Sequence, residues 1–166
     1  MKKPDIDIFY FGESGYIPNH PKFPVLHYKK VFQHNEDKIE TIFAANNWSN
    51  TWINGIYDFH HYHSNTHEVL GILKGAGCIL IGGESGSKII ANSGDILVLP
   101  AGTGHKKLSA SADFQVMGAY PNGQDYNLKQ NTKEDQKGAA EEIKKVPNPS
   151  SDPIYGKRGL LMKMWC

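Results

Sequence analysis

The chain has 166 residues, 39% apolar and 21% charged, which suffices for one domain with a real core and is too short for two comfortable ones. Lys plus Arg number 18 against 17 Asp plus Glu, and Arg158 is the sole arginine. No large basic field exists to collect phosphates, so no nucleic-acid partner is expected. No apolar run is long enough to cross a bilayer, and Met1-Lys2-Lys3-Pro4-Asp5 leads into no apolar signal region. A cytoplasmic protein with no membrane partner is the expectation. Cys78 and Cys166 make no disulfide framework at this length, and reduced thiols are expected.

In chain order, Ile6 to Phe11 reads as a strand, Gly12 to Lys22 as a Pro/Asn/Gly loop and Pro24 to Phe32 as a second strand. Asn35 is placed to cap a helix over Glu36 to about Asn46, with Ile39, Ile42 and Phe43 on one face and Glu36 and Asp37 at its positive end. From Gly55 to Tyr120, short runs of Val, Ile, Leu, Phe and Tyr are broken by Gly, Asn and Ser at intervals of roughly ten residues, the pattern of an all-β sandwich or barrel. Strands are predicted near 56–63, 67–73, 76–81, 88–91, 96–99, 105–109 and 113–120. Gly82-Gly83-Glu84-Ser85-Gly86 lacks the Lys-Ser/Thr ending of a phosphate loop and reads as a hairpin turn. A helix capped by Asn131 or Thr132 is predicted through about Lys145, stopped by Pro147, and Gly156 to Trp165 reads as an edge strand. The expectation is a single domain over 1–166, with its core at about 55–121, an N-terminal wrapping segment (1–54) and a C-terminal helix and tail (122–166).

Two spacings carry chemistry. Gly55, His61, His63, Glu68 and Gly75 stand as G-x5-H-x-H-x4-E-x6-G, and Gly94, Pro100, Gly102 and His105 follow as G-x5-P-x-G-x2-H. At this chain's own residue frequencies the first pattern arises by accident in about one such chain in several thousand. Because side chains alternate along a strand, His61 and His63 share a face with Tyr57 and Phe59, while His60 points the other way. On the next strand Glu68, Leu70 and Ile72 share one face, and His67, Val69 and Leu73 the opposite one. His60 and His67 are therefore read as surface or interface histidines, and Tyr57 and Phe59 as core. Val69 and Leu73 need cover, from the N-terminal segment or from a second copy in a homodimer. A turn at 64–67 brings Glu68 beside the two histidines, and the tight Pro100 to Gly102 loop brings in His105. Three imidazoles and a carboxylate without a thiolate suit a divalent Fe, Mn, Ni, Zn or Cu ion. Lys107, two residues beyond His105, is placed either to hold a carboxylate or phosphate near the ion or to sit in a bulge or snorkel to the surface.

These two motifs resemble those of the cupin superfamily. Phe43-Ala44-Ala45-Asn46-Asn47-Trp48, His61-Tyr62-His63-Ser64, Pro100 to Lys106 and Gly118-Ala119-Tyr120-Pro121 further resemble the single-domain bacterial cupins of the YjlB type over nearly the whole length. The resemblance implies an all-β fold, a small double-sheet, jelly-roll-like cupin β-barrel with one or two short peripheral helices, and metal ligands His61, His63, Glu68 and His105. Where the superfamily usually has Asn shortly after the last His, this chain has Ser109. The resemblance implies no particular reaction.

Two classes of function follow. One is a metal-dependent enzyme acting on a small oxygenated molecule, dioxygenase-like or isomerase-like, with Glu68 as fourth ligand and general base. The other is a non-catalytic module that binds a sugar or carboxylic acid. The scarcity of Arg argues against a substrate with several phosphates in either case.

Overall fold

A computed structural model describes residues 5–166. Its strands are β1 (Asp5–Phe9), β2 (Val25–Lys29), β3 (Trp48–Asn54), β4 (His61–Tyr62), β5 (Glu68–Lys74), β6 (Ala76–Ile81), β7 (Ser87–Asn92), β8 (Ile96–Leu99), β9 (His105–Ala110), β10 (Gln115–Pro121) and β11 (Lys129–Gln130). The short helices are α1 (Ile39–Ala45), preceded by one 3-10 turn at Glu36–Lys38, then α2 (Lys133–Gln136), α3 (Ala139–Lys145) and α4 (Leu161–Met164). The strands form two antiparallel sheets, one ordered β1-β2-β8-β5-β10-β3 and the other β11-β4-β9-β6-β7.

Strand parity explains how they pack. Leu70 and Ile72 of β5, Leu97 and Leu99 of β8 and Val116 of β10 meet Ile79 and Ile81 of β6 and Ile89 and Ala91 of β7 in a core between the sheets. The alternate residues Val69, Ile96, Val98 and Met117 face outward, yet they are buried as well. Ile39 and Phe43 of α1, with Leu161 and Trp165 from the C-terminal segment, cover them. The six-stranded sheet is thus apolar on both faces, which is why Ile96-Leu97-Val98-Leu99 is an unbroken apolar run. Val69 and the partly buried Leu73 find their cover within the chain.

The structure corrects the expectation of a β-barrel. The jelly-roll-like double sheet is present, but the two sheets are not closed into a barrel: among the described residues no strand of one pairs with a strand of the other. Of the strand predicted over 56–63, only His61–Tyr62 is extended and paired, and both its partners lie in the five-stranded sheet. Three further readings change. Residues 48–54, left unassigned in the sequence, form β3, an edge strand paired with β10. The helix expected to run from Thr132 to Lys145 is two, α2 and α3, broken where Gly138 adopts φ +78. Residues 156–165 form no strand; they turn into α4, whose following Trp165 is buried. Asn35 makes no side-chain cap, whereas Thr132 accepts from the Asp135 N–H. The glycine-rich 82–86 stretch is the β6–β7 hairpin turn, as read. Among the described residues no helix is long and apolar enough to cross a membrane.

Candidate metal centre

Both sheets contribute to one cavity of about 300 Å³. Glu68 enters as the first residue of β5, opposite Leu99 of β8 in the six-stranded sheet. His61 of β4 pairs with His105 of β9 in the other sheet, and His63 follows β4. The Pro100 to Gly104 loop sets His105. Gly102 sits at φ +89, where a Cβ would meet Ile143 Cδ1 at 2.6 Å, and its N–H donates to the His63 carbonyl at 2.8 Å. That hydrogen bond ties the two histidine-bearing segments together.

His63, Glu68 and His105 are buried and offer donor atoms that all lie within 4.8 Å of one another. His63 Nε2 stands 3.2 Å from Glu68 Oε2, and His105 Nε2 stands 3.3 Å from Glu68 Oε1. Donors about 2.1 Å from a shared ion stand about 3 Å apart when adjacent, so these separations fit one small cation. The sequence also proposed His61. Its ring lies 3.9 Å from that of His105 and 6.1 Å from that of His63, centroid to centroid, and it lines the same cavity outside the three-donor group.

Hydrogen bonding aims the rings. His61, His63 and His105 place Nδ1 against the carbonyls of Phe59, Asn127 and Thr103. A carbonyl only accepts, so each Nδ1 carries the hydrogen and each Nε2 turns a lone pair toward the cavity. Glu68 Oε2 accepts from the Tyr120 hydroxyl at 2.7 Å, and that hydroxyl accepts from Trp52 Nε1 at 2.7 Å. Glu68 Oε1 is buried and receives no well-formed hydrogen bond, its imidazole neighbour being His105 Nε2 at 3.3 Å. Lone pairs facing a carboxylate oxygen repel unless a cation stands between them. The donor set therefore fits a divalent transition metal ion.

The electrostatics show the same demand for positive charge between carboxylate and imidazole, which a proton on His63 or a cation can meet. Burial alone would raise the Glu68 carboxyl, but His63 and His105 beside it hold it well below the usual carboxylate range. Burial works to lower the His63 imidazole, and the Glu68 charge outweighs it to raise that group. His61 is lowered to about 3 by burial and by neighbouring His105, which keeps it neutral and able to donate a lone pair.

Two parity readings need correction. His67 does point away from Glu68, but it is not at the surface. It is 1% exposed, its Nδ1 accepts the Ala101 N–H at 2.9 Å, and its ring packs 4.8 Å from that of Trp165. The C-terminal segment, whose fold the sequence did not disclose, covers it. Tyr57 is 54% exposed at the cavity rim, stacked on Phe59, since residues 55–60 are irregular and do not alternate. His60 is partly buried and pairs with Glu84. Sequence reasoning missed Tyr120, Trp52, Tyr126 and Asn127, none of which belongs to a metal-binding spacing. Only the aromatic character of Trp52 and Tyr120 hinted at partly buried polar tips.

No family model matches the sequence. Over 157 residues the chain is 45% identical to the uncharacterised protein YjlB of Bacillus subtilis (strain 168), spanning 95% of this chain and 94% of that protein. Among solved structures it is similar to WlaRA, a TDP-fucose-3,4-ketoisomerase from Campylobacter jejuni, at TM-score 0.41 and 23% identity over 57% of this chain and 73% of that one. It is similar to acireductone dioxygenase from Bacillus anthracis at TM-score 0.39 and 17% identity, over 58% of this chain and 64% of that one. It is similar to procruciferin from Brassica napus at TM-score 0.40 and 12% identity, over 66% of this chain and 23% of that one. The chain thus spans less than two thirds of the last two. With 45% identity along nearly the whole length of both chains, this chain belongs to the same family as YjlB.

Proposed function

We propose that the chain is a metal-dependent enzyme acting on a small oxygenated molecule, of the dioxygenase-like or isomerase-like class. The observation that carries this reading is the unpartnered Glu68 Oε1, buried against imidazole Nε2 atoms at the floor of a cavity open to solvent. A site meant only to brace the fold is closed by its ligands. In this reading His63, Glu68 and His105 hold the ion and His61 supplies a fourth donor. The bound ion would supply Lewis acidity toward a substrate oxygen.

The chain's own groups do the rest. Tyr120 fixes one oxygen of Glu68, leaving the other to take or return a proton, so Glu68 is also the general base of the proposal. Burial and the Glu68 charge push the Tyr120 phenol up, so it stays a donor throughout. Tyr57 and Tyr126 flank the opening, where a bound molecule displaces water. A single domain over 1–166 and a cytoplasmic location complete the proposal.

Protein purified without chelators or a histidine tag is expected to carry close to one transition-metal equivalent per chain. His63→Ala should lose most of it and His60→Ala should keep it, as read by elemental analysis. Equal behaviour of the two variants contradicts the assignment. Oxygen uptake and product formation with diketones, flavonols, thiols and sugars then separate catalysis from binding. Tight binding with no turnover in any panel favours the sugar- or carboxylate-binding module instead.

A further inference from the structure

The metal-ligand set accounts for the floor of the cavity and leaves its wall unexplained. Glu68 is the sole carboxylate among the lining residues, and Lys107 is the sole cationic side chain. Lys107 stands two positions along β9 from His105, so both face the same side of the strand. Leu108 takes up a bulge, since Ile79 pairs with Lys107 while Cys78 pairs with Ser109. The Lys107 N–H donates to the Tyr57 carbonyl at 2.9 Å, which joins this wall to the rim. Lys29, Lys129 and Lys144 are the ion-paired lysines among the described residues, and Lys107 forms no such pair. A half-buried lysine in the wall of a cavity, without an ion-pair partner among the described residues, is a charge awaiting one.

The remaining wall is flat and apolar. Tyr57 is 54% exposed and meets His61 edge-on, while Tyr126 stacks on Tyr120 at 4.7 Å and meets His63 edge-on at 5.2 Å. Two exposed rings thus stand next to metal-binding imidazoles. About two strand residues, roughly 7 Å of backbone, separate His105 from Lys107. A molecule of a few carbons beyond its carboxylate spans that distance, and about 300 Å³ is the small end of ligand cavities.

We propose that Lys107 makes this cavity selective for a small monocarboxylate with a flat apolar body. The carboxylate rests on the Lys107 ammonium, the body lies against Tyr57 and Tyr126, and a further oxygen reaches the metal-binding floor. A phosphate is the poorer partner, because a single lysine without arginine leaves a second negative charge unbalanced near Glu68. Only the role given to the further oxygen rests on the metal-dependent function proposed above.

The test is titration of benzoate, its neutral analogue benzamide, and phenyl phosphate onto the full chain. It uses metal-free and metal-loaded protein, calorimetry and ligand-observed NMR, with metal content measured in parallel. Wild type should bind benzoate about tenfold more tightly than benzamide in the metal-free state, the ratio expected of one charge-assisted contact. Lys107→Met should bring the ratio near one without loss of metal, and Lys107→Arg should restore part of it. Three results overturn the inference: benzamide binding as well as benzoate, Lys107→Met keeping the metal-free preference, or phenyl phosphate binding more tightly than benzoate. Wild type that binds none of the three overturns it too. Protein that holds no metal yet selects benzoate through Lys107 supports the carboxylate site while removing the metal reading. Protein that holds metal without the selectivity does the reverse.

Discussion

At the scale of single residues, the donor set depends on what stands behind it. Glu68 is held by Tyr120, which is held in turn by Trp52, and neither contact has a sequence spacing that announces it. Tyr120→Phe removes one hydroxyl and leaves the packing of the ring intact. Supporting groups of this kind typically contribute 10–100-fold to metal affinity, so a loss of roughly that size is expected in competition with a chromophoric chelator. Unchanged affinity would show that Glu68 is oriented by packing alone. The sequence made His63, Glu68 and His105 legible because a metal site demands particular chemistry at fixed intervals. Parity also placed His67 on the face away from Glu68. What it missed was the cover: an outward residue is a surface residue only if nothing from elsewhere in the chain packs on it, and Trp165 does.

Among the elements, most strands from β5 to β10 were readable because they alternate or run apolar between turn residues, and β9 because it follows the Pro100 to Gly104 turn. β3 was not, since Trp48-Ser49-Asn50-Thr51-Trp52-Ile53-Asn54 is polar and mostly exposed, as an edge strand can be. The C-terminal segment was misread because what shapes it is a carboxylate just ahead of it that is itself anchored to a distant strand. Asp152, fully buried, accepts from the Tyr28 hydroxyl and from the N–H groups of Ile154, Tyr155 and Leu161. It therefore clasps the turn and the start of α4 to β2. Asp152→Ala strands several buried donors at once and should destabilise the fold by about 3 kcal/mol, read as a lowered urea midpoint. A change within a few tenths would mean that water replaces the carboxylate without penalty.

Across the whole molecule, the layered all-β plan was legible and closure was not. Periodicity reports which face of a strand is apolar and is silent on whether two sheets join at their edges. Global stability also carries a pH signature. His20 Nδ1 accepts the N–H groups of Lys22 and Phe23, and burial, with the Lys22 charge, lowers the ring to about 4 from 6.5. On acidification the unfolded chain takes up this proton first, so the contribution is full above about 6.5, declines as pH falls, and levels off near 4. Urea midpoints of metal-free protein should fall across that window, and His20→Asn, which keeps an acceptor without titrating, should flatten part of the fall. A midpoint indifferent to that substitution would assign the slope to other groups.

The donors come from opposite layers: Glu68 belongs to the sheet insulated on both sides, while His105 belongs to its neighbour and His63 directly follows a strand of that neighbour. A captured ion would therefore act as a rivet through the sandwich. Its free energy of capture would add to the resistance of the assembly against splitting along the seam. Starving the protein of metal would then loosen its architecture along that seam.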